Sequence, residues 1–230
     1  MKLIFICAMR YTFLFIAVVA LYACSPVTMV KPLKAKQWAA TGSLGGPLIS
    51  FGSAVIPVPF TALGAGYGLD SVSTVSARVH TTSAAFGVAH LDVGYLRQLR
   101  SPEGRIPGIT ASLNSALMLD KWEKNFSWYP SLDVNAYWNI GKQGSFLYTG
   151  VTSWFDYHKV GTADRVQPYN WVPAVNVGYT RSRARWNTSL EVKYLAPGVS
   201  NESLTVDYKA PGSTGAIGVY VGIIRTFGNK

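Results

Sequence analysis

Between Ala77 and Tyr95 the chain reads ARVHTTSAAFGVAHLDVGY, which places two of its three histidines beside an arginine and an aspartate. Three kinds of chemistry use such a set. A histidine with an acidic partner and Ser83 could activate a nucleophile. His80, His90 and Asp92 could ligate a divalent metal. Arg78 with two imidazoles could hold an anion. Which of these applies depends on the faces the residues occupy. If two strands meet in a turn centred near Ala85, His80 faces His90 and Arg78 faces Asp92, all four on one side of the sheet. Ser83 then lies in the turn, in no nucleophile motif. The chain also lacks G-x-S-x-G, H-E-x-x-H, C-x-x-C and phosphate-loop patterns. The run Gly64 to Gly68, GAGYG, lacks both the spacing and the following helix of a nucleotide loop. It instead puts Gly64, Gly66 and Gly68 on one strand face, making room or allowing a bend. The expectation is a polar lining made by Arg78, His80, His90 and Asp92, with no catalytic residues, no metal and no cofactor.

The elements that position these residues follow from alternation. No window sustains a helical period, whereas a period of two recurs between Gly, Pro, Asp and Ser turns. In SLDVNAYWNI, Leu132, Val134, Ala136, Trp138 and Ile140 oppose Ser131, Asp133, Asn135, Tyr137 and Asn139. In RWNTSLEVKY, Trp186, Leu190, Val192 and Tyr194 oppose Arg185, Asn187, Ser189, Glu191 and Lys193. Ten such strands are expected, over 38–52, 58–69, 73–82, 87–99, 106–119, 129–140, 146–157, 169–181, 185–195 and 215–227. Eight or twelve would follow if the first two segments were divided differently. Connections alternate between short (LDS, RSPEGR, GKQG, RSRA) and long (DKWEKNFSW, HKVGTADRVQP, PGVSNESLTVDYKAPGS). His158 falls in one of the long loops and reads as a solvated position. Charged residues are only 14% of the chain. The second face is therefore mostly Gly, Ser, Thr and Asn, which suits a narrow polar lumen better than a water-facing surface.

The ends carry separate information. Lys2 and Arg10 precede the apolar run Tyr11 to Ala23, too short for a span of about 20 residues and organised like a secretory signal. LYAC, Leu21 to Cys24, resembles the lipobox of bacterial lipoproteins, with Tyr22 departing from the usual small or polar residue. The resemblance implies cleavage before Cys24 and lipid on that cysteine. Several acyl chains, at about 0.8 kcal/mol per buried methylene, make an effectively permanent anchor. Ser25 in the next position resembles the sorting signal for the outer membrane. Cys7 leaves with the signal, so no thiol pair remains for a disulfide or metal. Removing Lys2 and Arg10 from the formal +10 leaves +8. That balance favours lipid phosphates and other anions as partners. The charges are scattered and the chain is exported, so nucleic acid is excluded as a partner. The segments are a signal over 1–23, a lipidated tether over 24–36 whose stretch Val30 to Lys36 reads as solvated, and a barrel over 37–230.

Aromatic residues mark the strand ends. Trp128, Tyr129, Trp154, Tyr169 and Trp171 fall near one rim, and Trp138, Phe146, Tyr148, Tyr179, Trp186 and Phe227 near the other, as interfacial girdles. With the alternating loops and the ending VGIIRTFGNK, the chain resembles small bacterial outer-membrane β-barrel proteins. The resemblance implies an all-β, closed, antiparallel, up-and-down transmembrane barrel in the bacterial outer membrane, anchored at Cys24. It also implies outer-membrane lipids as partners. The expected role is structural, or surface interaction through long loops, or slow passage of small polar solutes. Two other readings compete with it. A lipid-modifying enzyme of such a barrel would present its Ser, His and acidic groups on the lipid-facing side. A soluble lipocalin-like carrier held by its lipid would turn its apolar face inward.

Overall fold

The computed structural model describes residues 27–122, 124–141, 144–157, 170–201 and 206–228. The signal segment, Cys24, His158 and Tyr169 lie outside these. Eleven strands form in chain order: β1 (Trp38–Phe51), β2 (Ala54–Pro57), β3 (Phe60–Gly68), β4 (Ser73–His80), β5 (Val88–Arg100), β6 (Gly108–Asp120), β7 (Phe126–Ile140), β8 (Ser145–Phe155), β9 (Trp171–Arg183), β10 (Trp186–Ser200) and β11 (Thr214–Phe227). One short helix, α1 (Thr81–Ala85), joins β4 to β5. Each barrel strand pairs antiparallel with its chain neighbour, and β11 closes on β1 through Trp38↔Phe227 to Pro47↔Gly218. The result is a closed ten-stranded barrel. The short β2 pairs only with the last four residues of β1 as a hairpin spur. Closure matters energetically because it leaves the ten barrel strands no free edge with unpaired backbone groups.

The wall is inverted relative to a soluble barrel. Leu113 is 62% exposed and Val177 is 55% exposed, on the outside of the wall. Asp133, Glu191 and Lys193 are buried inside it. The alternation is strict along β7, where Leu132, Val134 and Trp138 point out while Asp133, Asn135 and Tyr137 are buried. Strands β5, β6 and β9 have 13 residues and β7 and β10 have 15, more than the 9–11 needed to cross a bilayer at barrel tilt.

Three expectations change in the structure. Strand β4 stops at His80, before the expected residue 82, because Thr81 and Thr82 turn into α1. Their hydroxyls take over the edge of β3: the Thr61 amide donates to Thr82 Oγ1 at 2.9 Å, and Thr82 Oγ1 donates to the Pro59 carbonyl at 3.1 Å. Second, Tyr129, Phe146 and Tyr148 are not girdle residues. They are buried inside the wall, because strand height alone placed them at the rims and their parity points inward. Trp128, Trp138, Trp171, Tyr179, Trp186 and Phe227 do face outward. Third, Val30 to Leu33 are not solvated. Val30 and Leu33 are buried, whereas Lys34 to Lys36 are exposed.

Candidate functional site: the filled lumen

The hairpin β4–α1–β5 brings the four sequence-derived residues together. Arg78 pairs with Asp92 in the register, so the next inward positions, His80 and His90, also oppose one another. Their rings stack with centroids 3.6 Å apart and planes within 2° of parallel. One carboxylate bridges the stack: His80 Nε2–H donates to Asp92 Oδ2 at 2.8 Å and His90 Nε2–H to Oδ1 at 3.0 Å. Arg78 Nη2 lies 3.4 Å from Oδ2, closing the cluster with a cation. Hydrogen bonds to a charged acceptor in a low-dielectric interior are the strong ones, so Asp92 organises the whole group.

This geometry can be compared with the chemistry such residues could do. The ligand-type atoms of His80, His90 and Asp92 all lie within 4.8 Å of one another. However, both Nε2 atoms carry the protons given to Asp92, and two parallel stacked rings point them side by side and not at one point. A shared metal would require one ring to turn, next to the Arg78 cation. For nucleophilic chemistry, a hydroxyl must contact an imidazole nitrogen. Both Nε2 atoms are committed to Asp92, and Ser83 instead sits in α1, its carbonyl accepting from the Phe86 amide.

Two further polar groups fill the lumen. Glu191 and Lys193, two residues apart on β10 and both pointing inward, form an ion pair at 3.1 Å. Tyr148 Oη donates to Glu191 Oε2 at 2.9 Å, and Asn176 Nδ2 reaches the same oxygen at 3.3 Å. Lys193 also lies 5.3 Å from the centre of the Tyr220 ring. On the opposite wall Asp133 accepts from Asn114 at 2.9 Å and Ser112 at 3.3 Å. Alternation put Glu191 and Lys193 on the inner face. Asn176 comes from the hairpin neighbour β9, and Tyr148 of β8 reaches Glu191 over Gly178, which pairs with both.

Both ends of the lumen are occupied as well. At the end where β1 begins and β11 ends, residues 27–33 run inside the wall. The Arg78 Nη1 donates to the Val27 carbonyl at 3.1 Å, and the Leu33 amide donates to Thr74 Oγ1 at 2.8 Å. Val30 packs with Tyr137, Phe146 and Tyr148, while the Lys31 ammonium lies 4.1 Å from the Phe146 ring centre. The glycine stripe on β3 makes this possible. A Cβ at Gly66 would lie 2.7 Å from Met29 Cε, and one at Gly68 only 2.0 Å from the Lys34 carbonyl oxygen. At the other end Val206 and Tyr208 pack on Ala174, Leu195 and Ala216, and Tyr208 bridges to Ile49 of β1. A cavity of about 30 Å³ remains beside Val27, Thr41, Ser76, Arg78 and Asn114, room for one or two waters. The signal for the inner segment was present in the sequence, since Val27, Val30 and Leu33 are apolar within a nominal tether.

No family model and no curated protein sequence matches the chain. Among solved structures, a NanC porin structure aligns at TM-score 0.44 and 8% identity, covering 82% of this chain and 98% of that one. The translocator domain of the autotransporter NalP from Neisseria meningitidis aligns at TM-score 0.44 and 9% identity, covering 96% of each. The outer membrane protein OprG from Pseudomonas aeruginosa aligns at TM-score 0.34 and 13% identity, covering 87% of this chain and all of that one. At these values the architecture rests on this chain's own closed strand order.

Proposed function

We propose that this chain is a bacterial outer-membrane β-barrel with a closed lumen. In this reading it is anchored by lipid on Cys24 after removal of residues 1–23. It serves a structural or surface-contact role and not a catalytic one. The inverted wall carries this reading: exposed aliphatic and aromatic side chains ring the outside while charged residues are buried within. That pattern is stable only where the outside meets lipid. A lipocalin-like carrier is disfavoured because its interior would have to be apolar. A lipid-modifying barrel enzyme is disfavoured because the His80–Asp92–His90 group faces the lumen, away from lipid, with both Nε2 atoms engaged. In this reading the long connections that follow β6, β8 and β10 in the sequence supply the contact with outside partners. Passage of small polar solutes is a second reading, favoured by the small cavity that remains beside Arg78, Ser76 and Asn114. It requires residues 27–29 to leave their place.

The test is conductance in a planar bilayer of the signal-processed protein, with folding verified by its change in gel mobility on boiling. A silent, folded barrel is the expected result. Steady single-channel steps from the unmodified protein would contradict the closed lumen and make solute passage the primary role.

A further inference from the structure

The charge of the barrel is concentrated at one rim, and one sector of that rim is built differently from the rest. Arg181 and Arg183 end β9, Arg185 lies in the following turn, and Arg225 is near the end of β11; all four are exposed. The register sets Arg183, Trp186 and Arg225 side by side across three strands. The guanidinium of Arg225 lies 5.1 Å from the ring centre of Trp186 and 5.1 Å from that of Phe227. The Arg185 carbonyl accepts from the Thr226 amide at 2.9 Å, tying the turn to β11. In β9, β10, β11 and β1 together Glu191 is the sole acidic residue, and it is buried in the lumen. Among the described residues none of these four arginines is in an ion pair. The opposite rim carries both signs, as in Asp120 with Lys121, and Asp207 with Lys209.

We propose that Arg181, Arg183, Arg185 and Arg225 form a binding site for the phosphodiester headgroup of an anionic phospholipid in the inner leaflet, which is the leaflet that the rim of short turns, such as that joining β9 to β10, meets in outer-membrane barrels. The inference rests on the membrane-spanning reading above. Three features select this ligand. The guanidinium fork matches phosphate oxygens in pairs. The site projects from the outside of the wall, where Tyr179, Leu190 and Ile223 continue the apolar surface toward the bilayer core. Trp186 and Phe227 provide the amphipathic and apolar flank that favours the headgroup level. Four cations with no carboxylate among them would repel one another, and an anion between them relieves that repulsion.

The experiment is native mass spectrometry of the detergent-released, folded barrel with equal amounts of short-chain phosphatidylglycerol and phosphatidylcholine. The unmodified protein is expected to retain phosphatidylglycerol preferentially. The double variant Arg183→Gln/Arg225→Gln should lose that preference by at least about tenfold, since each interfacial arginine contributes roughly a factor of five. Arg97→Gln/Arg100→Gln, on another sector of the same rim, should keep it. A double variant that still prefers phosphatidylglycerol overturns the site. Displacement of the lipid by an equal concentration of inorganic phosphate would show a free-anion site and overturn the lipid assignment. Each protein is also run with and without boiling. Absence of the mobility shift would sink the membrane reading itself, whereas a shifted barrel with unchanged lipid preference sinks only this inference.

Discussion

Asp92→Ala is expected to lower the unfolding free energy of the barrel by about 3–5 kcal/mol, the cost of stranding a buried charge. The carboxylate takes three donors: His80 at 2.8 Å, His90 at 3.0 Å and the Arg78 guanidinium at 3.4 Å. Alanine would leave the guanidinium inside the wall with only the Val27 carbonyl for a partner, and both imidazole N–H groups without an acceptor. The effect should be read as a shift of the urea midpoint of protein refolded into lipid vesicles. The double variant Arg78→Met/Asp92→Leu should recover most of the loss, because an apolar pair of similar volume is close to neutral. An unchanged midpoint in Asp92→Ala would mean that water, and not the cluster, fills this part of the lumen.

Leu113→Arg should have an effect nearly as large, one that the same change on the surface of a soluble protein would not show. Leu113 sits mid-strand on β6 and is 62% exposed on the outer wall. In water, replacing an exposed leucine by arginine is neutral or improves solubility. At the midplane of a bilayer it costs about 2–4 kcal/mol. Folding into vesicles should therefore shift to lower urea, while Lys34→Arg, on an exposed residue of the N-terminal segment, should leave it unchanged. If Leu113→Arg is neutral in vesicles, the outer face does not meet lipid.

Much of this was legible in the sequence because a strand's period of two is local. The alternation in β7 and β10 assigned Asp133, Glu191 and Lys193 to the interior without knowledge of their partners. The turn centre near Ala85 was enough to oppose His80 to His90 and Arg78 to Asp92, because an antiparallel hairpin fixes its own register. What escaped lay beyond a single hairpin. Tyr148 meets Glu191 across β9, where Gly178 pairs with both and leaves room for the ring, and its aromatic character suggested a girdle. The docking of Val30 and Leu33 required knowing that Gly66, Gly68 and Gly222 leave a channel beside them. The spur β2 fell in the gap between the expected strands 38–52 and 58–69, too short to show an alternation of its own. Cys24 and the signal before it rest on the resemblance alone and lie outside the described residues.

The central claim is that the barrel itself, and not the lipid on Cys24, holds the protein in the membrane. The most direct measurement is fractionation of the Cys24→Ala variant, followed by electrophoresis with and without boiling. The variant is expected to stay with the outer membrane and to change mobility on boiling. A variant that becomes soluble and shows no shift would contradict it, and would make the exposed apolar wall a surface that something other than lipid must cover.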